Sequence, residues 1–268
     1  LQAQKLESIG QLAAGLAHEL NTPIQYVRDN TSFLKEEFFN ITTMLQSTLT
    51  RVSKNPDGDL EKSIQEQFKQ IQLDYLITEI PTAIEQTLEG ADTVARIVRA
   101  MKTFSHPGQT DKIYADINET IKSTVIISTS EWKYFADTSL DLDPNIPKFL
   151  CYPGELGQAF LNIIVNAAHA IEEATDGGKS AKGTISISSK LIGNRIEIRI
   201  ADTGTGIPVE VQNRIFDPFF TTKDIGKGTG QGLAMVHSTI TERHYGNLYF
   251  ESQVGIGTTF VIHLPMMN

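Results

Sequence analysis

The chain has 268 residues, 40% of them hydrophobic and 21% charged, which fits one large or two modest globular domains. Its net charge of −9 argues against a general nucleic-acid or anionic-membrane binder, because such proteins bind phosphates through lysine and arginine. A single cysteine, Cys151, excludes a disulfide within the chain, and no stretch has the roughly 18 apolar residues that span a bilayer.

Two long helices are predicted in the first part of the chain. Apolar residues recur every three or four positions from Leu6 to Val52, and again over Leu73–Met101, where Ile77, Ile84, Leu88 and Val98 belong to the stripe. A turn at Lys54–Asp59 would join the helices into an antiparallel hairpin. A hairpin alone leaves apolar surface uncovered, so we expect two copies to pair into a four-helix bundle. A coiled-coil spacer is the alternative.

His18 lies on the first helix but is turned away from its apolar stripe. Glu19 is adjacent and could orient the imidazole, and Thr22 lies one turn later on the same face. Pro23 removes a backbone hydrogen bond to the carbonyl of Glu19, which predicts a bend. The alternatives are a solvated surface histidine and a helix boundary at Pro23.

The pattern changes after Asp116, where helices and period-two strands follow one another. This succession predicts helices on one face of a mixed sheet, and Gly193-Asn194 is typical of a hairpin turn. The helices are predicted at Ile117–Ser128, Pro153–Ala174 and Gln231–Arg243, and the strands at Thr184–Ser188, Arg195–Ile200, Asn247–Ser252 and Thr258–Leu264.

Two asparagines, Asn162 and Asn166, lie one turn apart on an otherwise apolar helix. Burying two amides without partners is costly, and a hydrated Mg²⁺ with phosphate oxygens would supply partners. A pair of satisfied structural amides is the alternative.

Three further segments carry aspartate, aromatic residues and glycine. Asp202 to Ile207 follows a strand, and its aspartate could accept a hydrogen bond from an exocyclic amine while the glycines admit a flat base. Phe216 to Lys223 is either a packed core segment or the hinge of a lid. Gly226 to Leu233 opens a helix whose free N–H groups could bind phosphate, but it lacks the Lys-Ser or Lys-Thr of the phosphate-binding P-loop.

Together these segments resemble the catalytic core of a sensor histidine kinase of two-component signalling. His18 to Pro23 resembles the family's H-box, Asn162 to Asn166 the N-box, Asp202 to Ile207 the G1 box, Phe216 to Phe220 the F-box and Gly226 to Leu233 the G2 box. The resemblance implies an α+β chain with two domains. Residues 1–108 would form the dimerisation and histidine-phosphotransfer domain, and residues 109–268 the ATP-binding α/β sandwich shared with gyrase, Hsp90 and MutL-type ATPases.

The resemblance also implies site residues for ATP and Mg²⁺. Asp202 would bind the adenine amine, with Thr258 acting through water and with Gly204 and Gly206 in the same loop. Asn166 would hold Mg²⁺. The phosphate side would be lined by Asn162, His169, Lys223, Lys227, Gly228, Thr229, Gly230, Gly232 and Leu233. Many members have lysine or arginine where this chain has His169, and a neutral imidazole stabilises phosphate less well.

In the implied reaction, the ATP domain moves until the γ-phosphate reaches His18, while Glu19 orients the ring and accepts a proton. The phosphoryl group then passes to an aspartate of a response-regulator receiver domain, and Thr22 orients water when the receiver is dephosphorylated. The partners are thus a second copy of the chain and a receiver, with no nucleic acid and no direct membrane contact. We expect the chain to be cytoplasmic, as the cytoplasmic portion of a longer sensor protein.

Two rival functions are compatible with parts of the sequence. A gyrase- or Hsp90-like clamp would use the same ATP-binding segments, but the H-box on a dimerising helix argues against it. A nucleotide-binding scaffold without turnover would not require His18, Glu19, Asn166 and Asp202 together. Whether His18 is phosphorylated in cis or in trans stays open.

Overall fold

A computed structural model describes residues 2–54, 64, 66, 68–105, 111–179, 181–222 and 230–266. The chain divides into two compact units, one of Ala17–Arg96 and one of Leu1–Leu16 with Ile97–Asn268. The predicted domain boundary between residues 108 and 109 stays a prediction, because it falls outside the described residues.

Parts of two long helices, α1 at Gln2–Lys54 and α2 at Leu73–Ser105, form the unit of Ala17–Arg96. Helix α1 continues through Pro23, so the alternative of a helix boundary at this proline is wrong. The Nδ2 of Asn30 donates to Oε1 of Gln86 at 3.2 Å across the hairpin, which confirms that the two helices pair. Most of the predicted turn after Lys54 lies outside the described residues.

One face of α2 is buried within the single chain and the neighbouring face is exposed. Buried residues recur every seven positions, at Leu76, Ala83, Gly90 and Ile97, and Ala100 is buried as well. Ile77, Ile84 and Val98 are exposed one position after a buried residue, and Leu88 is exposed one turn after Ile84. All four belong to the stripe expected from the sequence. The sequence therefore located the helix correctly, but the chain buries a different face of it.

In its described residues after α2, the second unit contains two β-sheets and four short or medium helices. Its elements in chain order are β1 Ile113–Ala115, α3 Ile117–Ile127, α4 Thr129–Trp132, β2 Ala136–Leu142, β3 Phe149–Cys151, α5 Pro153–Ala174, β4 Gly183–Ile192, β5 Arg195–Asp202, a 3₁₀ turn Gln212–Arg214, α6 Gly232–Ser238, a π-helical turn Thr239–Arg243, β6 Asn247–Gln253 and β7 Gly257–Pro265. The order of the larger sheet is β2-β4-β5-β7-β6, with β2 parallel to β4 and the other pairs antiparallel. Strands β1 and β3 form a separate antiparallel pair.

Helix α5 packs on the larger sheet at β4 and β5, as the α+β prediction requires. Alternate residues of the central strands point to this helix, and each fully buried isoleucine among them contributes about 1.5–3 kcal/mol to folding. Ile187, Ile198 and Ile262 are within 1% of complete burial. On the opposite face, polar residues such as Glu197 and Arg199 form ion pairs with each other.

Local sequence features set the ends of these elements. The carboxylate of Asp116 accepts hydrogen bonds from the N–H groups of Asn118 and Glu119, which caps α3. Pro153 occupies the first turn of α5, where its missing N–H costs no helical hydrogen bond. The predicted hairpin is confirmed, since Ile192 pairs with Arg195 across the turn.

Candidate functional site

The helical unit exposes His18 on the surface of α1. The hydroxyl of Thr22 donates to the backbone carbonyl of His18 at 3.1 Å, so both side chains lie on adjacent turns of one face. Glu19 is half-buried, Thr22 is exposed and Pro23 is buried. The histidine therefore faces away from the hairpin core, as the sequence predicts.

In the second unit, Asp202 ends β5 directly opposite Thr258 of β7. Its Oδ1 accepts hydrogen bonds from the backbone N–H of Gly204 at 2.9 Å and of Thr258 at 3.2 Å. Among the described residues, nothing donates to Oδ2. Burial raises the pKa of this carboxyl, and the two backbone donors oppose the shift. One fixed carboxylate oxygen is thus available to a ligand that donates a hydrogen bond.

The hydroxyl of Thr258 is held beside this carboxylate by Ser252. Their hydroxyl oxygens are 2.9 Å apart, and the Ser252 oxygen also accepts from the N–H of Ile207 at 2.8 Å. Ser252 thereby ties the loop after Asp202 to the ends of β6 and β7. The sequence analysis missed this serine, because a serine at the end of a strand has no distinctive pattern.

Two glycines let the loop after β5 pack closely against its neighbours. A Cβ on Gly204 would come within 2.6 Å of the Cβ of Ala170 in α5. Gly206 has a φ of 72°, and a Cβ there would collide with the backbone carbonyl of Gln253. These close contacts explain why both positions are glycine, in addition to the expected approach of a base.

The two asparagines of α5 have different surroundings. Asn162 donates to the carbonyl of Gly232 at 3.2 Å and accepts from Gln158 at 3.2 Å, which joins α5 to the start of α6. Asn166 is half-buried, and its amide makes no hydrogen bond to any described residue. The structural alternative therefore fits Asn162, and the ligand role of Asn166 stays a prediction. Gln158 was not identified from the sequence.

The remaining predicted phosphate-side residues are only partly described. His169 is half-buried on α5, Gly232 begins α6 and Leu233 packs against the core. A Cβ on Gly230 would collide with the backbone of Phe219. Four of the predicted residues lie outside the described part of the chain: Lys223, Lys227, Gly228 and Thr229.

The aromatic segment before these residues divides into two parts. Phe216 and Phe220 pack against the core, and the guanidinium of Arg214 lies 4.6 Å from the centre of the Phe220 ring. Phe219 is 71% exposed and has a φ of 66°. The core-segment alternative therefore holds for two of the three aromatic residues.

Comparison with known proteins identifies the second unit. Residues 152–268 match the model of the "Histidine kinase-, DNA gyrase B-, and HSP90-like ATPase" family. The chain is 28% identical over 267 residues to the signal transduction histidine-protein kinase AtoS of Escherichia coli K12, and 30% identical over 273 residues to sporulation kinase E of Bacillus subtilis 168. The chain is a homologue of the sensor histidine kinases.

Each alignment covers 99% of this chain but only 36% of AtoS and 30% of sporulation kinase E. The chain thus spans about a third of the length of these histidine kinase relatives. Among solved structures, the catalytic domain of histidine kinase ThkA matches with a TM-score of 0.50 and 25% identity, covering 59% of this chain and 99% of that domain. The sheet-containing part of the chain, from Ile113 to Pro265 and called the ATPase domain below, therefore has the fold of histidine kinase catalytic domains.

The ATPase domain can be tested for its fit to Mg²⁺. In the described part of the chain, no group of three or more histidine, cysteine, aspartate or glutamate side chains could hold a metal ion. Asn166 offers one amide oxygen, a ligand type that suits magnesium, and bound phosphate and water would supply the others. The residues present fit a metal that arrives with a nucleotide. Across the same described residues, no helix combines the length and apolar character needed to cross a membrane.

Proposed function

We propose that this chain is an ATP-dependent protein histidine kinase that phosphorylates its own His18 and passes the phosphoryl group to an aspartate of a receiver domain. The observation that carries this proposal is the pairing, in one chain, of an exposed histidine beside Thr22 with an ATPase domain whose Asp202 keeps one carboxylate oxygen free. A clamp or a simple ATPase would need only the second of these sites.

ATP would bind with its adenine amine donating to Oδ2 of Asp202. Because Oδ1 is fixed by two backbone N–H groups, the free oxygen is already oriented for this bond. Thr258, buried beside it, would order a bridging water. Asn166 would hold Mg²⁺, which when bound neutralises charge on the triphosphate. The phosphates would extend towards Gly230 and Gly232 at the start of α6.

The phosphoryl transfer would take place at the exposed imidazole. One ring nitrogen of His18 attacks the γ-phosphorus, a P–N bond forms, and the P–O bond to the leaving ADP breaks. Glu19 would orient the ring through its other nitrogen and accept the proton that the imidazole loses. Transfer of this kind depends mainly on positioning and charge neutralisation.

The phosphorylated His18 would then donate to a receiver of a response regulator. A carboxylate oxygen of the receiver aspartate attacks the phosphorus, and the P–N bond breaks to regenerate imidazole. AtoS is named a signal transduction kinase, which supports such a role for this chain. For dephosphorylation of the receiver, the exposed hydroxyl of Thr22 keeps lone pairs available to orient a water that attacks the receiver's acyl phosphate.

We further propose that the chain works as a homodimer. Ile77, Ile84, Leu88 and Val98 are between 44% and 63% exposed on α2 in the single chain. Such a continuous apolar face is rare on a monomer, and a second hairpin of the same sequence would cover it. Because ATP is the phosphoryl donor, we place the reaction in the cytoplasm.

The test is incubation with γ-labelled ATP and Mg²⁺, comparing the native chain with His18→Gln. We expect a label that is labile in acid, stable in alkali and absent from the variant, because phosphohistidine has this stability. His237→Gln, an exposed histidine of the ATPase domain, is the matched control and should label as the native chain does. Nucleotide binding without such a label would favour a scaffold or clamp, and a label retained by His18→Gln would refute the assignment of His18.

A further inference from the structure

The side chains on the buried face of α2 become smaller towards a glycine, Gly90. Four of the buried positions that the structure describes on α2 are spaced by seven, and their side chains become smaller from Leu76 through Ala83 to Gly90 before Ile97. Glycine in a helix interior lowers helix stability relative to alanine, so its presence in a buried position calls for a packing reason.

That reason is a close approach of α1. A Cβ placed on Gly90 would lie 3.0 Å from Cγ2 of Val27 and 3.1 Å from the backbone carbonyl oxygen of Pro23. Both distances are shorter than ordinary carbon contacts. The hydrogen bond between Asn30 and Gln86, one turn further along, fixes the register of the two helices at this point. Gly90 is therefore where α2 touches the backbone of α1.

The contact coincides with a weak point in α1. Pro23 has no N–H, so the carbonyl of Glu19 loses its helical hydrogen-bond donor. The turn that carries His18 is thus less firmly joined to the rest of the helix, although Thr22 supports it through the His18 carbonyl. His18 lies about 7.5 Å along the helix axis from Pro23, at 1.5 Å per residue. A small displacement at Pro23 therefore moves the imidazole.

We propose that Gly90 is a positioning residue for autophosphorylation: its contact with Pro23 and Val27 fixes where α1 presents the His18 imidazole to the γ-phosphate. This inference rests on the proposed function of His18. Gly90 touches neither ATP nor the reacting nitrogen, and it acts through the backbone of Pro23. Since in-line transfer is sensitive to misplacements of about 1 Å, one methyl group at Gly90 is enough to disturb it.

The experiment compares Gly90→Ala with the native dimer in autophosphorylation assays over a range of ATP concentrations. We expect kcat to fall about 10- to 100-fold while KM for ATP stays within about twofold, because the nucleotide contacts lie in the ATPase domain. Asp92→Glu, which adds one methylene to an exposed neighbour on the same helix, should leave both values unchanged. Adding Val27→Ala to Gly90→Ala removes the methyl that the new Cβ meets and should restore kcat at least about threefold.

A second phosphoryl donor distinguishes a misplaced His18 imidazole from one that has lost its reactivity. Phosphoramidate is small and reacts with exposed imidazole without the ATPase domain, so it should label His18 equally in the native chain and in Gly90→Ala. An equal kcat for ATP in both proteins would overturn the proposal, as would a slower reaction with phosphoramidate. If the native chain itself fails to label from ATP, the proposed kinase function fails instead, and the two failures are thereby distinguished.

Discussion

The helical hairpin and the ATPase domain bury their apolar side chains in different ways. The ATPase domain closes its core within one chain, where Ile187, Ile198 and Ile262 are almost fully buried between sheet and helix. The hairpin buries one face of α2 and leaves the next face open, with Ile77 63% exposed. The core of the ATPase domain is therefore closed within one chain, whereas the hairpin keeps an exposed apolar face that the proposed dimer would cover.

The two regions also hold their candidate site residues in different surroundings. Asp202 is enclosed by the ends of β5 and β7, and burial raises its pKa. His18 and Thr22 are exposed on a helix, where a second protein can reach them. A binding residue gains from a fixed, partly dry environment, whereas a residue that transfers a group between proteins must stay accessible. Variants in each region should therefore fail in different assays.

The largest effect is expected for Asp202→Asn. Since the backbone N–H groups of Gly204 and Thr258 would hold the amide oxygen, the amide NH₂ would face the adenine amine, and two donors would oppose each other. We expect ATP affinity to fall about 10- to 100-fold, the loss of one hydrogen bond to a charged group. Isothermal titration calorimetry measures this.

Two controls place that effect in the ATPase domain. Asp141→Asn changes an exposed carboxylate of strand β2, and His18→Gln changes the hairpin, so both should bind ATP as the native chain does. Equal affinity for ATP in Asp202→Asn would show that the free oxygen of Asp202 does not bind the nucleotide.

An effect confined to the hairpin is expected for Thr22→Ala. Removing the hydroxyl abolishes its bond to the His18 carbonyl and its ability to orient water, but leaves the imidazole in place. We expect stimulation of receiver dephosphorylation to fall about tenfold or more, with autophosphorylation within about twofold of the native rate. Thr50→Ala, an exposed threonine of α1 whose hydroxyl donates to the backbone carbonyl of Gln46 at 2.8 Å, is the matched control. Undiminished phosphatase stimulation in Thr22→Ala would remove the phosphatase part of the proposal.

The smallest effect concerns acid stability of the ATPase domain. His244 is buried: its Nδ1 donates to the carbonyl of Thr239 at 2.8 Å and its Nε2 accepts from the N–H of Tyr152 at 3.0 Å. Burial lowers its pKa from the ordinary 6.5. As pH falls through about 6.5, the unfolded state takes up a proton that the folded state refuses, so the free energy of unfolding decreases by up to about 1.4 kcal/mol per pH unit.

His244→Gln should flatten that pH dependence, because glutamine does not titrate, while lowering stability at neutral pH. Urea unfolding at pH 7.5 and 5.5 measures it, with fluorescence of Trp132, the single tryptophan, reporting on the ATPase domain. His237→Gln, an exposed histidine, should keep the native pH dependence. An unchanged pH dependence in His244→Gln would show that another group titrates.

Strong periodicity made much of this fold predictable. The bounds of α5 agree with the prediction, and the hairpin of β4 and β5 follows from alternation around Gly193-Asn194. The short strands β1 and β3 were missed, because three residues carry no period. Strand β2 was missed as well, since Ala136–Leu142 mixes polar and apolar residues without clear alternation.

In the candidate site, residues with a local sequence pattern were identified, and residues whose role depends on contacts distant in sequence were missed. Asp202 was identified because its glycine-rich loop is continuous in sequence, and its free oxygen is consistent with the predicted role. Ser252 and Gln158 were missed, because their roles depend on contacts with β7 and with Asn162. Gly90 was missed for the same reason, since only the packing of α1 against α2 places it at Pro23.

The most direct test of the central claim is to locate the phosphoryl group on the protein. After incubation with ATP and Mg²⁺, proteolysis and tandem mass spectrometry under alkaline conditions can assign the phosphate among six histidines. We predict phosphohistidine at His18 alone. We predict none in Asp202→Asn at ATP concentrations below that variant's dissociation constant for ATP. Phosphate on a histidine of the ATPase domain, or none on any histidine of the ATP-bound native protein, would contradict the account.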